Sequence, residues 1–159
     1  MIKITFPDKN VREYPKGTTS FEIAKSISEG LARNVLAAKV NGETWDASRP
    51  IDSDSTLQLL TWDDKEGKST MWHSSAHLMA EALEALYPGV KFGIGPPVDN
   101  GFYYDVDLGG NTISSDDFKK IEDKMVELAR KGSKYERSSV SKKDAIAFFT
   151  EKADEYKLD

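Results

Sequence analysis

Residues 70–87 predict one helix, and it carries the only two histidines of the chain, His73 and His77. Four residues apart on a helix, they share one face. At about 100° per residue, Trp72, Ala76, Met79, Leu83 and Leu86 form an apolar stripe, with both histidines and Glu84 along its edge. A helix of this kind docks its stripe in a core. The imidazole pair is then left at the rim of whatever lies beside it.

The sixty residues before this helix alternate strand and turn signals. Residues 2–6 alternate apolar and polar, residues 7–10 turn, and residues 11–14 return as a hairpin. Thr19 and Glu22 form a capping box that opens a helix with Phe21, Ala24 and Ile27 inward, and Gly30 is expected to end it. Residues 35–40 read as a buried strand, Asn41-Gly42 as a tight turn, and residues 56–60 as the last strand. Strands of this order around one helix predict a β-grasp, ubiquitin-like sheet over residues 1–62. Residues 63–68, all polar or glycine, read as a linker, with Ser69 capping the histidine helix.

A second domain is expected over residues 69–159, with helices packed on an antiparallel sheet. The fold class as a whole is therefore α+β. Residues 90–94 and 102–108 read as strands, and residues 95–101 as a rigid Gly-Pro loop between them. On the second strand Phe102 and Tyr104 share one face, Tyr103 and Asp105 the other. Residues 114–131 predict a helix burying Phe118, Ile121, Met125 and Leu128. An edge strand is expected over 135–140. A last helix, capped by Ser141, follows with Ala145, Phe148 and Phe149 inward.

Charge and composition exclude several function classes. The net charge is −5, with eight residues of each sign over residues 1–62 and fourteen basic against nineteen acidic over residues 63–159. Neither part is basic enough to grip nucleic acid by bulk charge. The chain has no cysteine, which excludes disulfides, thiolate nucleophiles and Cys-based zinc sites. No apolar run reaches transmembrane length, and the first residues do not resemble a signal peptide, so a cytoplasmic location is expected.

Spacing alone leaves three readings of the histidine pair. It can give a metal two ligands, although Ser74 follows His73 where a His-Glu-x-x-His protease has glutamate, and only carboxylates could complete the set. It can be a structural pair at the helix edge. Or it can be a metal-free catalytic or binding surface in which one imidazole moves a proton. Gly93-Ile-Gly95-Pro-Pro lacks the pattern of a dinucleotide fingerprint, yet its glycines let a ligand or another backbone approach closely.

The motifs in combination resemble a known family. Residues 1–62, with Val40-Asn-Gly-Glu43, resemble a TGS domain. His73-Ser-Ser-Ala-His77-Leu, then Ile94-Gly-Pro-Pro-Val-Asp-Asn-Gly-Phe-Tyr-Tyr-Asp105, then Glu155-Tyr-Lys157, resemble the N-terminal editing region of bacterial threonyl-tRNA synthetases. The resemblance implies hydrolysis of mischarged seryl-tRNA(Thr) within an enzyme that attaches threonine to tRNA(Thr) with ATP. It implies catalytic roles for His73, His77 and Lys157, and substrate-binding roles for Tyr104, Gly95 and Asp105. It further implies that the editing site is completed by a Cys-x-x-x-His segment downstream of Lys157, so residues 69–159 correspond to the first part of that domain.

By the same resemblance no cofactor is expected in this stretch. ATP, Mg and a zinc ion belong to a catalytic core elsewhere in the enzyme. The expected partners are the acceptor end of tRNA(Thr) and the remainder of the synthetase, itself a homodimer through that core, with no membrane. The stretch by itself is not expected to charge tRNA. The competing reading is a free-standing TGS-containing module that binds RNA or a ligand without catalysis.

Overall fold

The computed structural model describes residues 1–133, 135–152 and 155–157. Leu158 and Asp159, the end of the expected second domain, lie outside the described residues. The chain divides into two compact units, Met1–Trp72 and His73–Asp159.

In the first unit, β1 (Ile2–Thr5) and β2 (Val11–Tyr14) form the expected hairpin, Ile2 facing Tyr14 and Thr5 facing Val11. A short β3 (Thr18–Thr19) leads into α1 (Ser20–Ile27) and α2 (Glu29–Asn34). Then follow β4 (Ala37–Val40), β5 (Glu43–Trp45), β6 (Pro50–Ile51) and β7 (Ser55–Leu60). The sheet order is β2-β1-β7-β4-β5, with β1 and β7 parallel, and β3 pairs separately with β6. This is the β-grasp expected. Ile2, Ile4, Ile23, Ala38, Val40, Ile51 and Leu57 form its core.

The Asn41-Gly42 turn links β4 to β5 with both residues at positive φ, 50° and 86°, as a primed two-residue turn requires. The capping box is formed: Glu22 N–H donates to Thr19 Oγ1 at 3.2 Å, and Thr19 N–H donates to Glu22 Oε2 at 2.8 Å. Two expectations for α1 are corrected. The buried face is Ser20, Ile23 and Ala24. Phe21 lies about 100° round from Ser20 and stays 46% exposed. Ile27, in the terminal turn, is also exposed. The helix stops at Ser28 rather than Gly30, because the Ser28 hydroxyl accepts the N–H of Leu31 and starts α2.

The third helix, α3 (Lys65–Leu86), begins four residues before the expected cap. Residues 65–68, read as linker, are therefore helical. Asp64 Oδ2 accepts the N–H of Thr61 at 2.7 Å, and Lys68 N–H closes the first helical bond onto Asp64 O at 2.9 Å. Glu66 pairs with Lys39 of β4. Gly67 is buried; a Cβ there would stand 2.0 Å from the Thr61 carbonyl oxygen. The glycine that signals a linker is thus a close-packing residue inside a helix.

In the second unit Ala76, Ala82 and Leu83 of α3 are buried, with Ile121. The strands are shorter than expected: β8 (Lys91–Phe92), β9 (Pro97–Val98), β10 (Gly101–Phe102) and β11 (Val106–Asp107). β8 pairs with β11 and β9 with β10. Pro96 and Pro97 lack the N–H groups of a continuous ladder, so residues 102–108 do not form one strand. Between the two ribbons Gly93 N–H donates to Asp105 O at 2.8 Å, and Asp105 N–H to Ile94 O at 2.9 Å.

The fourth helix, α4 (Ser115–Lys131), has Ser114 at its N-cap and ends at Gly132 in the left-handed region. Ile121 is buried and Phe118 is half exposed. Residues 135–140 form no strand, and no described strand pairs with them. The last helix, α5 (Lys142–Glu151), is capped by Ser141 as expected. Phe149 is partly buried but Phe148 is exposed, because adjacent helical residues diverge by about 100° and cannot both point inward. A 3₁₀ turn follows over Glu155–Lys157. No described helix is long and apolar enough to cross a membrane.

Candidate functional site

The helical spacing of His73 and His77 brings their rings into a stack, with centroids 4.8 Å apart and planes 23° from parallel. Both residues are exposed on one side of α3. Partial burial holds the His77 pKa below the usual histidine value, and the neighbouring charges of His73 and Lys157 push it the same way. His77 is therefore a neutral imidazole at neutral pH, able to accept a hydrogen bond or a proton.

Lys157 comes from the 3₁₀ turn. Its Nζ donates to the Gly93 carbonyl oxygen at 3.1 Å. Next to it, the Tyr156 hydroxyl donates to Asp107 Oδ2 at 3.2 Å. Asp107 also accepts the N–H of Gly109 at 2.9 Å, and this bond, then that of Tyr156, holds its carboxyl below the ordinary range.

Gly95, Tyr104 and Asp105 form a second group. The Tyr104 ring lies on Gly95, where an added Cβ would meet it at 2.6 Å, and packs edge-on against Phe92 at 5.4 Å. The expected alternation holds: Phe102, Tyr104 and Val106 turn inward and, with Met79 and Leu83 of α3 and Phe118, line an open apolar cavity of about 430 Å³. Neither imidazole lines it. On an ideal helix Met79 and Leu83 lie roughly 100–140° round from the imidazoles, so Tyr104 sits against the flank of α3 rather than over the rings. Asp105 keeps an exposed carboxylate, while its backbone joins Gly93 and Ile94.

The Lys157 charge thus acts on His77, whose ring stacks on His73, and Lys157 is tied through Gly93 to the segment that carries Gly95, Tyr104 and Asp105. No set of three or more His, Asp or Glu side chains among the described residues is placed to hold a metal. Gly93, Asp107 and Tyr156 were not expected. Their contacts depend on strand register and on the path of the chain after α5, which periodicity does not report.

Residues 2–61, within the first unit, match the family model described as "TGS domain". The whole chain is similar to threonine–tRNA ligases. It is 70% identical over 159 residues to the threonine–tRNA ligase of Cytophaga hutchinsonii, 60% to that of Parabacteroides distasonis, and 56% over 160 residues to that of Porphyromonas gingivalis. Each alignment covers all of this chain and 24–25% of the relative. The chain therefore spans about a quarter of the length of the curated relatives it matches. The resemblance to a TGS domain and to bacterial threonine–tRNA ligases is shown by these matches.

Proposed function

We propose that residues 73–157 supply part of a site that hydrolyses the ester of mischarged seryl-tRNA(Thr), within an enzyme that attaches threonine to tRNA(Thr). The observation that carries this reading is the stacked His73–His77 pair with the Lys157 charge beside it. Such a step answers a physical problem. Serine is threonine without one methyl, and a methyl discriminates by only about 1–3 kcal/mol, so a synthetic site cannot reject serine by fit alone. A second, smaller pocket admits seryl and excludes threonyl.

Ester hydrolysis needs a positioned water, an acceptor for its proton, and a positive or hydrogen-bonding group for the developing oxyanion. In this reading His73 and Lys157 position and activate the water. His77, kept neutral, shapes the site beside His73. Tyr104 acts through its packing on Gly95, two residues from the carbonyl that holds Lys157. ATP, Mg and zinc would serve the synthetic reaction elsewhere in the enzyme, and no step here uses them. The acceptor end of tRNA(Thr), the rest of the synthetase and a cytoplasmic setting follow from the same proposal.

The test is His73→Ala in the complete enzyme. Hydrolysis of seryl-tRNA(Thr) should fall by about two to four orders of magnitude, the range of a lost proton-transfer group, while threonylation is unchanged. Undiminished hydrolysis would refute the assignment.

A further inference from the structure

Resting on the editing role proposed above, we infer that Asp107 and Tyr156 are positioning residues that hold Lys157 beside the histidine pair. Tyr156 and Lys157 are successive residues of one 3₁₀ turn. The β8–β11 ribbon anchors both of them. Asp107 on β11 takes the Tyr156 hydroxyl at 3.2 Å, and Gly93, next after β8, takes the Lys157 ammonium at 3.1 Å. The two strands are in fixed register, Asp107 opposite Lys91 and Val106 opposite Phe92, and Gly93 N–H is bound in turn to Asp105 O. The separation of the two anchors is therefore set by the sheet.

The Asp107 carboxylate is itself oriented. Its Oδ1 accepts the Gly109 N–H at 2.9 Å, which leaves Oδ2 for Tyr156. A lysine on a four-carbon stem has high rotamer freedom, and a single bond to one carbonyl does not fix its ammonium. Pinning the preceding residue restricts where the stem begins. Among the described residues, the charged or titratable neighbours that act on His77 are His73, on its own helix, and Lys157, from this turn. Releasing Lys157 must move the His77 titration upward, because a nearby positive charge opposes protonation.

The experiment uses the fact that the chain has two histidines only. The imidazole resonances of the 159-residue protein are titrated by NMR for the wild type, Lys157→Met, Tyr156→Phe and Asp107→Asn. Lys157→Met should raise the His77 midpoint, and Tyr156→Phe and Asp107→Asn should each raise it by a large part of that shift. In the complete enzyme the latter two should lower kcat for seryl-tRNA hydrolysis by about ten- to a hundredfold, the scale of a misplaced catalytic group, with KM little changed. If Lys157→Met alone moves His77, or none of the three does, the inference is overturned. If the titrations shift as expected but hydrolysis does not fall, the positioning stands and the editing role fails. If hydrolysis falls without any shift, the positioning fails and the editing role survives.

Discussion

Gly95 lies directly beneath the ring of Tyr104: a methyl built on the glycine would sit 2.6 Å from Cδ2 and 2.8 Å from Cγ. Contact this close leaves no room for a side chain unless the ring turns away. Phe92, packed edge-on at 5.4 Å, restrains it. Gly95→Ala should therefore destabilise the second unit by about 1–3 kcal/mol, the usual scale of overpacking. Urea denaturation of the chain measures this, and an unchanged midpoint would show that the ring moves freely.

Gly67 gives a prediction with a reversed sign. In an exposed helix, glycine to alanine stabilises by about 1 kcal/mol. Here the new methyl would stand 2.0 Å from the Thr61 carbonyl oxygen, which is backbone and cannot swing aside. Gly67→Ala should lower stability by about 1–3 kcal/mol. Trp62 and Trp72, edge to face at 5.4 Å, lie in the same unit and give the fluorescence signal for the unfolding curve.

The His77 titration predicts a pH dependence of stability. Its folded pKa lies below the ordinary value of 6.5. Above 6.5 the imidazole is neutral in both folded and unfolded chains and contributes no pH dependence. As pH falls below 6.5 the unfolded chain takes up the proton first, so stability is lost down to the lower folded value. His77→Gln should flatten this part of the stability profile, measured by denaturation as pH is lowered through the ordinary histidine value of 6.5.

Thr19 tests the first unit. Its hydroxyl accepts the Glu22 N–H, and Thr19→Ala removes that bond. The expected loss is about 1 kcal/mol, and Thr19→Ser should restore most of it. Thermal unfolding of the three proteins, compared at one pH, decides the matter.

Where chemistry is local, the residues themselves specified the structure. Thr19 and Glu22 fixed the start of α1, and Asn41-Gly42 fixed the β4–β5 turn, because each depends on groups within four residues. The His73–His77 pair is of this kind, since helical spacing alone makes neighbours of the rings. Local signals mislead where they are ambiguous. Gly67 in a polar run looked like a linker, and a helix accommodates it only because the Thr61 carbonyl is there to pack against. Phe21 and Phe148 are apolar yet exposed, because the phase of each helix is set by its cap and its neighbours.

Chain chemistry by itself determined the β-grasp order, the imidazole pair and the family motifs, since periodicity, turn type and spacing are properties of short stretches. Tertiary structure alone decided that Lys157, eighty residues from His77, acts on that imidazole through space, and that Tyr104 lies on Gly95 at the flank of the histidine helix. The physical reason is range. Hydrogen bonds to Gly93 and Asp107 and the field of one ammonium depend on distances across the fold, which no pattern within a few residues encodes.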